Sequence, residues 1–235
     1  MLCLLKCQSR AESARLTSRS AGRRGIEMKL VANVQVSVDG VYQSNGGRHP
    51  DFDPGMERGG WARPHFDDQS MAFVSHYYQR ADAFLFGRRT YEMFLWSWGT
   101  GTWGADRGDN PISTMLNTRP KFVASNTLTE PAWSDTSVLS GDLARAVGRL
   151  KARPGGELQV HGSGTLTRWL LANDLVDELT LLVAPVIVGQ GDRLFPDSGP
   201  DLALDLVESL VFPKGILAQT YRPSGRPQYA SDPAE

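Results

Sequence analysis

The 235-residue sequence holds two cysteines, Cys3 and Cys7, and none beyond them. The rest of the chain therefore has no disulfide, no Cys-ligated zinc and no thiol nucleophile, an inventory suited to the reducing cytoplasm. An excess of one charge is also missing: Lys+Arg 25 stands against Asp+Glu 26, a formal net charge of -1. No electrostatic footprint argues for nucleic acid or an anionic membrane surface. The longest nearly apolar stretch, residues 179–188, contains Thr180 and Pro185 and falls far short of the roughly 20 residues that span a bilayer. His49, His65, His76 and His161 form no i, i+4 pair and no His-Glu-x-x-His, so no metal is expected. What is present, 40% hydrophobic and 22% charged residues, is ordinary globular composition. A small-molecule partner is the expectation.

Residues 1–27 differ from the rest, with Lys6, Arg10, Arg15, Arg19, Arg23 and Arg24 set against Glu12 and Glu27 and with serines interleaved. This +4 leader leaves about -5 on the remainder by the same count. It reads as a segment outside the fold, disordered or not native, with a transit peptide as the alternative. The domain is expected to run from Met28 to Pro223, followed by a flexible tail over 224–235.

Leu30, Ala32, Val34, Val36 and Val38 alternate onto one face of a first strand. A Gly- and Pro-rich loop from Gln43 to Pro64 follows, long enough to cover a substrate. A helix is expected from Asp67 or Asp68 to Gln79, then a strand over Ala81–Gly87, a helix over Thr90–Trp96, a loop to Pro111 and a strand over Lys121–Ala124. Asp142 caps a helix stopped by Pro154-Gly155-Gly156, after which come a strand over Glu157–His161, a helix over Thr165–Leu171 and a strand over Leu179–Val188. A hairpin from Leu204 to Pro223 turns at Phe212-Pro-Lys-Gly215. Alternating strands and helices predict one α/β domain, a mostly parallel sheet covered on both faces with an antiparallel hairpin at its end.

Three βα turns carry the candidate chemistry. At His161-Gly162-Ser163-Gly164-Thr165, glycines allow close backbone approach and a helix start favours phosphate oxygens; the same pattern also makes a plain tight turn. Gly87-Arg88-Arg89-Thr90 adds two guanidiniums able to grip a phosphate. Ser125 and Asn126 end another strand. Such turns, at the carboxyl ends of successive strands, are where open α/β sheets bind ligands.

With Val38-Asp39-Gly40 before them and Val188-Gly-Gln-Gly-Asp-Arg-Leu-Phe-Pro-Asp197 after them, these motifs occur in an order that resembles the dihydrofolate reductase-like superfamily. The closer resemblance is to the reductase domain of the bacterial riboflavin-biosynthesis deaminase-reductase and its stand-alone relatives, over about residues 28–223. It implies a three-layer fold, NADPH as cofactor and a homodimer. It also implies that Gly87, Arg88, Arg89 and Thr90 hold cofactor phosphates and that Ser125 and Asn126 lie beside the 2′-phosphate. His161, Gly162, Ser163, Gly164, Thr165 and Leu166 would cradle the pyrophosphate, with Val36, Ser37 and Asp39 near the nicotinamide or a mobile loop. Folate reductases carry a proton-donating carboxylate on the first helix; here the matching position is Met71, with Asp67 and Asp68 as the nearest acids. The zinc-binding deaminase half has no counterpart, since its Pro-Cys-x-x-Cys needs cysteines that the domain lacks. The expected activity is hydride transfer from NADPH to a small polar heterocyclic or imine substrate, with the ribosylaminopyrimidine of riboflavin synthesis as candidate. Reduction of dihydrofolate or another pterin, and a nucleotide-binding dimer without catalysis, are the alternatives.

Overall fold

The computed structural model describes residues 27–49, 51–99 and 110–230. Eight strands form one sheet in the order β4-β3-β2-β5-β1-β6-β8-β7. They are β1 Lys29–Ser37, β2 Ala81–Gly87, β3 Lys121–Ala124, β4 Thr136–Leu139, β5 Glu157–His161, β6 Glu178–Ala184, β7 Leu204–Val211 and β8 Leu217–Pro223. Pairing is parallel from β4 through to β6 and antiparallel where β8 meets β6 and β7 meets β8.

The expected alternation of buried residues splits the core into two layers. In β2, Ala83 and Leu85 join one cluster with Leu30, Ala32 and the apolar faces of α4 (Leu143–Lys151) and α5 (Gly164–Ala172). Phe84 and Phe86 point the other way, onto Val74 and Tyr78 of α1 (Asp68–Gln79) and Ile112 and Leu116 of α3 (Pro111–Thr118). Sheet period 2 and helix period 3.6 thus meet on both faces.

α3 and β4 were not expected from the sequence. α3 starts with Asn110, whose side chain accepts from the Ile112 and Ser113 N–H groups, and buries Ile112 and Leu116 one turn apart. Its Ser, Thr and Asn content hides the helix, because only the cap and two apolar contacts hold it. β4 has four residues, none of them fully buried, too short for alternation to register. α2 (Arg88–Phe94) begins two residues before the expected helix and runs into a π-turn over Leu95–Gly99. β6 ends at Ala184, before Pro185, which has no N–H for the ladder. The N-terminal leader up to residue 26, most of the loop expected between Trp98 and Pro111, and residues 231–235 of the tail lie outside the described residues. Arg226 and Tyr229, from the segment expected to be flexible, both bind the Asp201 carboxylate.

Candidate functional site

A cleft of about 870 Å³ opens on the helix α1 side of the sheet. Its floor is the centre of β1 at Asn33–Gln35, its rim the turns that end β2 and β5, and its outer wall the loop from Tyr42 to Asp53. Met71, Phe73 and Tyr77 of α1 face it, and Phe94, Trp96 and Trp98 make one side aromatic.

The two glycine turns meet at this rim. The Gly87 N–H donates to Ser163 Oγ at 3.0 Å, which ties the start of α2 to the turn before α5. Gly162 (φ +58°) and Ser163 (φ +46°) are both left-handed, and the Gly162 N–H donates to Asn33 O at 3.0 Å. For serine this conformation costs roughly 1–2 kcal/mol, offset here by the bond from Gly87. Gly164 opens α5, and a Cβ there would overlap the ring of Tyr42. Gly164 is therefore small because an aromatic ring lies on it. Thr165 and Leu166 complete the turn, Leu166 buried and Thr165 accepting from Arg168 at 3.2 Å. At the other turn, Arg88 Nε donates to Glu92 at 2.8 Å and its Nη1 to Thr127 Oγ1 at 2.6 Å, so the side chain is held in place. Arg89 is more than half exposed, 3.7 Å from Asp53 Oδ1, and Thr90 packs beside Gly162.

His161 lines the cleft as an uncharged aromatic group. Its ring stacks on Tyr78 with centroids 3.9 Å apart, its Nε2 is 2.9 Å from Gln159 Oε1, and burial pushes its pKa down to about 3. It offers a phosphate no positive charge. His161 also belongs to a polar row across three strands, since Asn33 pairs with His161 on one side and Thr180 on the other, and Val31 with Gln159. Gln159 donates to Tyr77 O at 2.8 Å, and Thr180 shares a 3.4 Å bond with the Tyr77 hydroxyl, whose pKa burial raises.

Seven expected site residues lie outside the cleft. Val36 packs on Leu194 in a small apolar cluster. Ser37 Oγ donates to Asp39 Oδ1 at 2.6 Å and accepts from the Val41 N–H, closing the turn after β1. Asp39 also accepts from the Val188 and Gly189 N–H groups at 2.9 and 2.8 Å, stapling that turn to the segment after β6. Partial burial raises its pKa, but these hydrogen bonds to the ionised form outweigh it and hold the carboxyl at about 2. Ser125 Oγ accepts from the Thr127 and Leu128 N–H groups, and Asn126 Oδ1 from the Gly141 N–H. Both spend their side chains on their own loops. Asp67 caps α1 through the Ser70 N–H and ties down the hairpin turn through the Lys214 N–H, bonds that keep it ionised with a lowered pKa. Asp68 is exposed beside it. Asp67 therefore holds structure, and neither α1 acid lines the cleft.

Asn33, Tyr42, Asp53 and Tyr77 line the cleft and were not singled out in the sequence. The available signal was polar residues interrupting otherwise apolar strands of a sheet expected to be covered on both faces, Asn33 in the first strand and Gln159 and His161 in Leu158-Gln-Val-His161. Among the described residues no group of three or more His, Cys, Asp or Glu is placed to hold a metal, and no helix is long and apolar enough to cross a membrane.

Known proteins match this architecture. A putative riboflavin biosynthesis protein from Shewanella sp. PV-4 shares 24% identity with a TM-score of 0.58, covering 84% of this chain and 99% of that one. The Thermotoga maritima diaminohydroxyphosphoribosylaminopyrimidine deaminase/5-amino-6-(5-phosphoribosylamino)uracil reductase matches at 14% identity and TM-score 0.54, over 84% of this chain and 57% of its own. Dihydrofolate reductase from Enterococcus faecalis, solved with NADP(H), matches at 15% and 0.51, over 85% of this chain and 98% of its own. The fold is thus the dihydrofolate reductase-like one that the order of motifs implied. The model of the RibD C-terminal domain spans residues 28–218, and the chain belongs to that family.

Proposed function

We propose that the protein is an NADPH-dependent reductase that transfers hydride to a small polar heterocyclic or imine substrate, with 5-amino-6-(5-phosphoribosylamino)uracil as the candidate. The observation that carries this reading is the joining of two phosphate-compatible turns, Gly87–Thr90 and His161–Thr165, by the Gly87–Ser163 bond at the rim of one large cleft. The residues fit the cofactor. The turn before α5 is left-handed, so its backbone can approach a ligand closely, and α5 itself is nine residues long and directs free N–H groups at its start. Arg88, pre-oriented by Glu92 and Thr127, and Arg89 are the donors for a 2′-phosphate, a role that Ser125 and Asn126 do not share from their present bonds.

When bound, the cofactor supplies the hydride. The chain's residues orient and exclude water: the aromatic side of the cleft takes a flat ring, and neutral His161, stacked on Tyr78, keeps the floor dry. Pterin reduction is the weaker reading, since the α1 acids face away from the cleft. Leu206, Val207 and Val211, exposed on the edge strand β7, support the homodimer reading.

Titration with NADPH and NADH tests the cofactor. One charge-assisted bond to the 2′-phosphate contributes roughly 1.5–3 kcal/mol, so NADPH is expected to bind at least tenfold more tightly. Equal affinities would remove the assignment, and NADPH binding without oxidation by the candidate substrate would leave a nucleotide-binding module.

A further inference from the structure

The loop after β1 lies on both of the turns assigned to the cofactor. At one of them the ring of Tyr42 covers Gly164, the first residue of α5, so closely that a Cβ built there would overlap three ring atoms. At the other, Asp53 Oδ1 stands 3.7 Å from Arg89 Nη2, a buried carboxylate against a side chain that is more than half exposed. The two contacts are linked, because Gln43, next to Tyr42, donates through Nε2 to Asp53 Oδ1 at 3.2 Å. Between them the His49 ring meets Trp96 edge-on with centroids 4.3 Å apart, so the loop also touches the aromatic side of the cleft.

We propose that the loop is an autoinhibitory strap: Tyr42 and Asp53 take the places at α5 and Arg89 that the cofactor's phosphates would occupy, and the dinucleotide binds by displacing them. This deepens the NADPH reading and rests on it. Asp53 is an anion on a guanidinium assigned to the 2′-phosphate. A phosphate that joins Arg89 with the carboxylate in place sets two negative groups side by side, one of them shut off from water, so one must leave. The Tyr42 ring is neutral and acts by bulk, leaving no room for a ligand atom against Gly164. Both contacts are of a kind that yields. At 3.7 Å the Arg89–Asp53 pair is longer than a hydrogen bond, and pairs with one exposed partner contribute little. Tyr42 is anchored through its backbone, the N–H donating to Asp192 O at 3.0 Å, so its ring can rotate away with that anchor intact. A site open for only a fraction of the time loses apparent affinity by that fraction, which removal of either contact should restore.

The test follows NADPH and NADH binding to the full-length protein by quenching of tryptophan emission, since Trp96 and Trp98 line the cleft. In wild type the observed association rate should level off as NADPH rises, because opening precedes binding. Asp53→Asn keeps the shape and the acceptor for Gln43 and removes the charge. It should tighten NADPH by about fivefold or more and NADH by less than about twofold, because only NADPH brings a 2′-phosphate to Arg89. Tyr42→Ala should raise the limiting rate and tighten both cofactors by about threefold or more, the pyrophosphate being common to them. Unchanged or weaker NADPH binding in either variant, an equal gain for both cofactors in Asp53→Asn, or a wild-type rate that rises linearly throughout would each overturn the strap. The wild-type kinetics stand even where a variant fails to fold. Binding by the variants and not by wild type would support the strap, whereas binding by none of the three strikes the cofactor reading and the strap with it.

Discussion

The short turns at the cleft rim and the long loop opposite them are built on different principles. Gly87–Thr90 and His161–Thr165 take their form locally, a strand ending, glycine or a left-handed serine turning the chain and a helix starting, and are then tied to each other by the Gly87–Ser163 bond. The loop at 43–62 is fixed by distant partners, Gln43 receiving the Trp61 indole N–H, Arg58 reaching Val188 O, and Gln190 meeting both Glu57 and Gly55. Two carboxylates show the consequence. Asp39, next to the first strand, accepts three hydrogen bonds and lies 3.7 Å from Arg193 Nη2, its pKa held at about 2, while Asp53, out on the loop, has one oxygen buried without a partner. The carboxylate beside the strand is bonded on both oxygens, and the one on the loop on one.

The largest effect is expected from Gly164→Val, which forces a side chain into the Tyr42 ring. Overpacking of this kind costs about 1–3 kcal/mol, and NADPH affinity should fall more than tenfold. Adding Tyr42→Ala should recover most of the stability in denaturant melts, because the valine then enters the space that the ring vacates. Stability that is not recovered would show that the ring is not what the glycine accommodates.

Asp39→Asn comes next. The folded pKa of Asp39 lies below its unfolded value, so its stabilisation is full above about pH 4 and is lost as pH falls toward 2. After solvent screening this amounts to about 1–2 kcal/mol, and the variant should show that loss at pH 7 and a flatter stability profile between pH 4 and 2. An unchanged acid profile would mean that the staple to Val188 and Gly189 contributes nothing.

At Ser163 two replacements separate strain from bonding. Ser163→Ala loses the bond from Gly87 and keeps the left-handed backbone, costing about 1 kcal/mol, whereas Ser163→Gly loses the same bond and relieves the strain. Alanine should therefore melt lower than glycine; the reverse order would show that the backbone there is unstrained. The smallest effect belongs to Asp68→Asn, exposed at the start of α1, which should change stability by less than about 0.5 kcal/mol and leave NADPH affinity untouched. A large loss of stability would show that Asp68 supports the start of α1 despite its exposure.

The sequence by itself determined the strand and helix alternation, the α1 and α4 caps at Asp67 and Asp142, the terminal hairpin and the two glycine turns, because each rests on period, capping or φ preference within a few residues. Only the tertiary structure decided which polar groups meet. A sheet covered on both faces was expected, but which polar residues it would bury was not, and strand register makes Asn33, His161 and Thr180 a buried row. Asp67 resembled a site acid by its position on α1, but the Lys214 N–H, 147 residues away, claims it. Asp53 carries no local signal at all. Its burial and its unpaired oxygen arise from the folding of a long loop over a distant sheet, a long-range packing result that no window of sequence encodes.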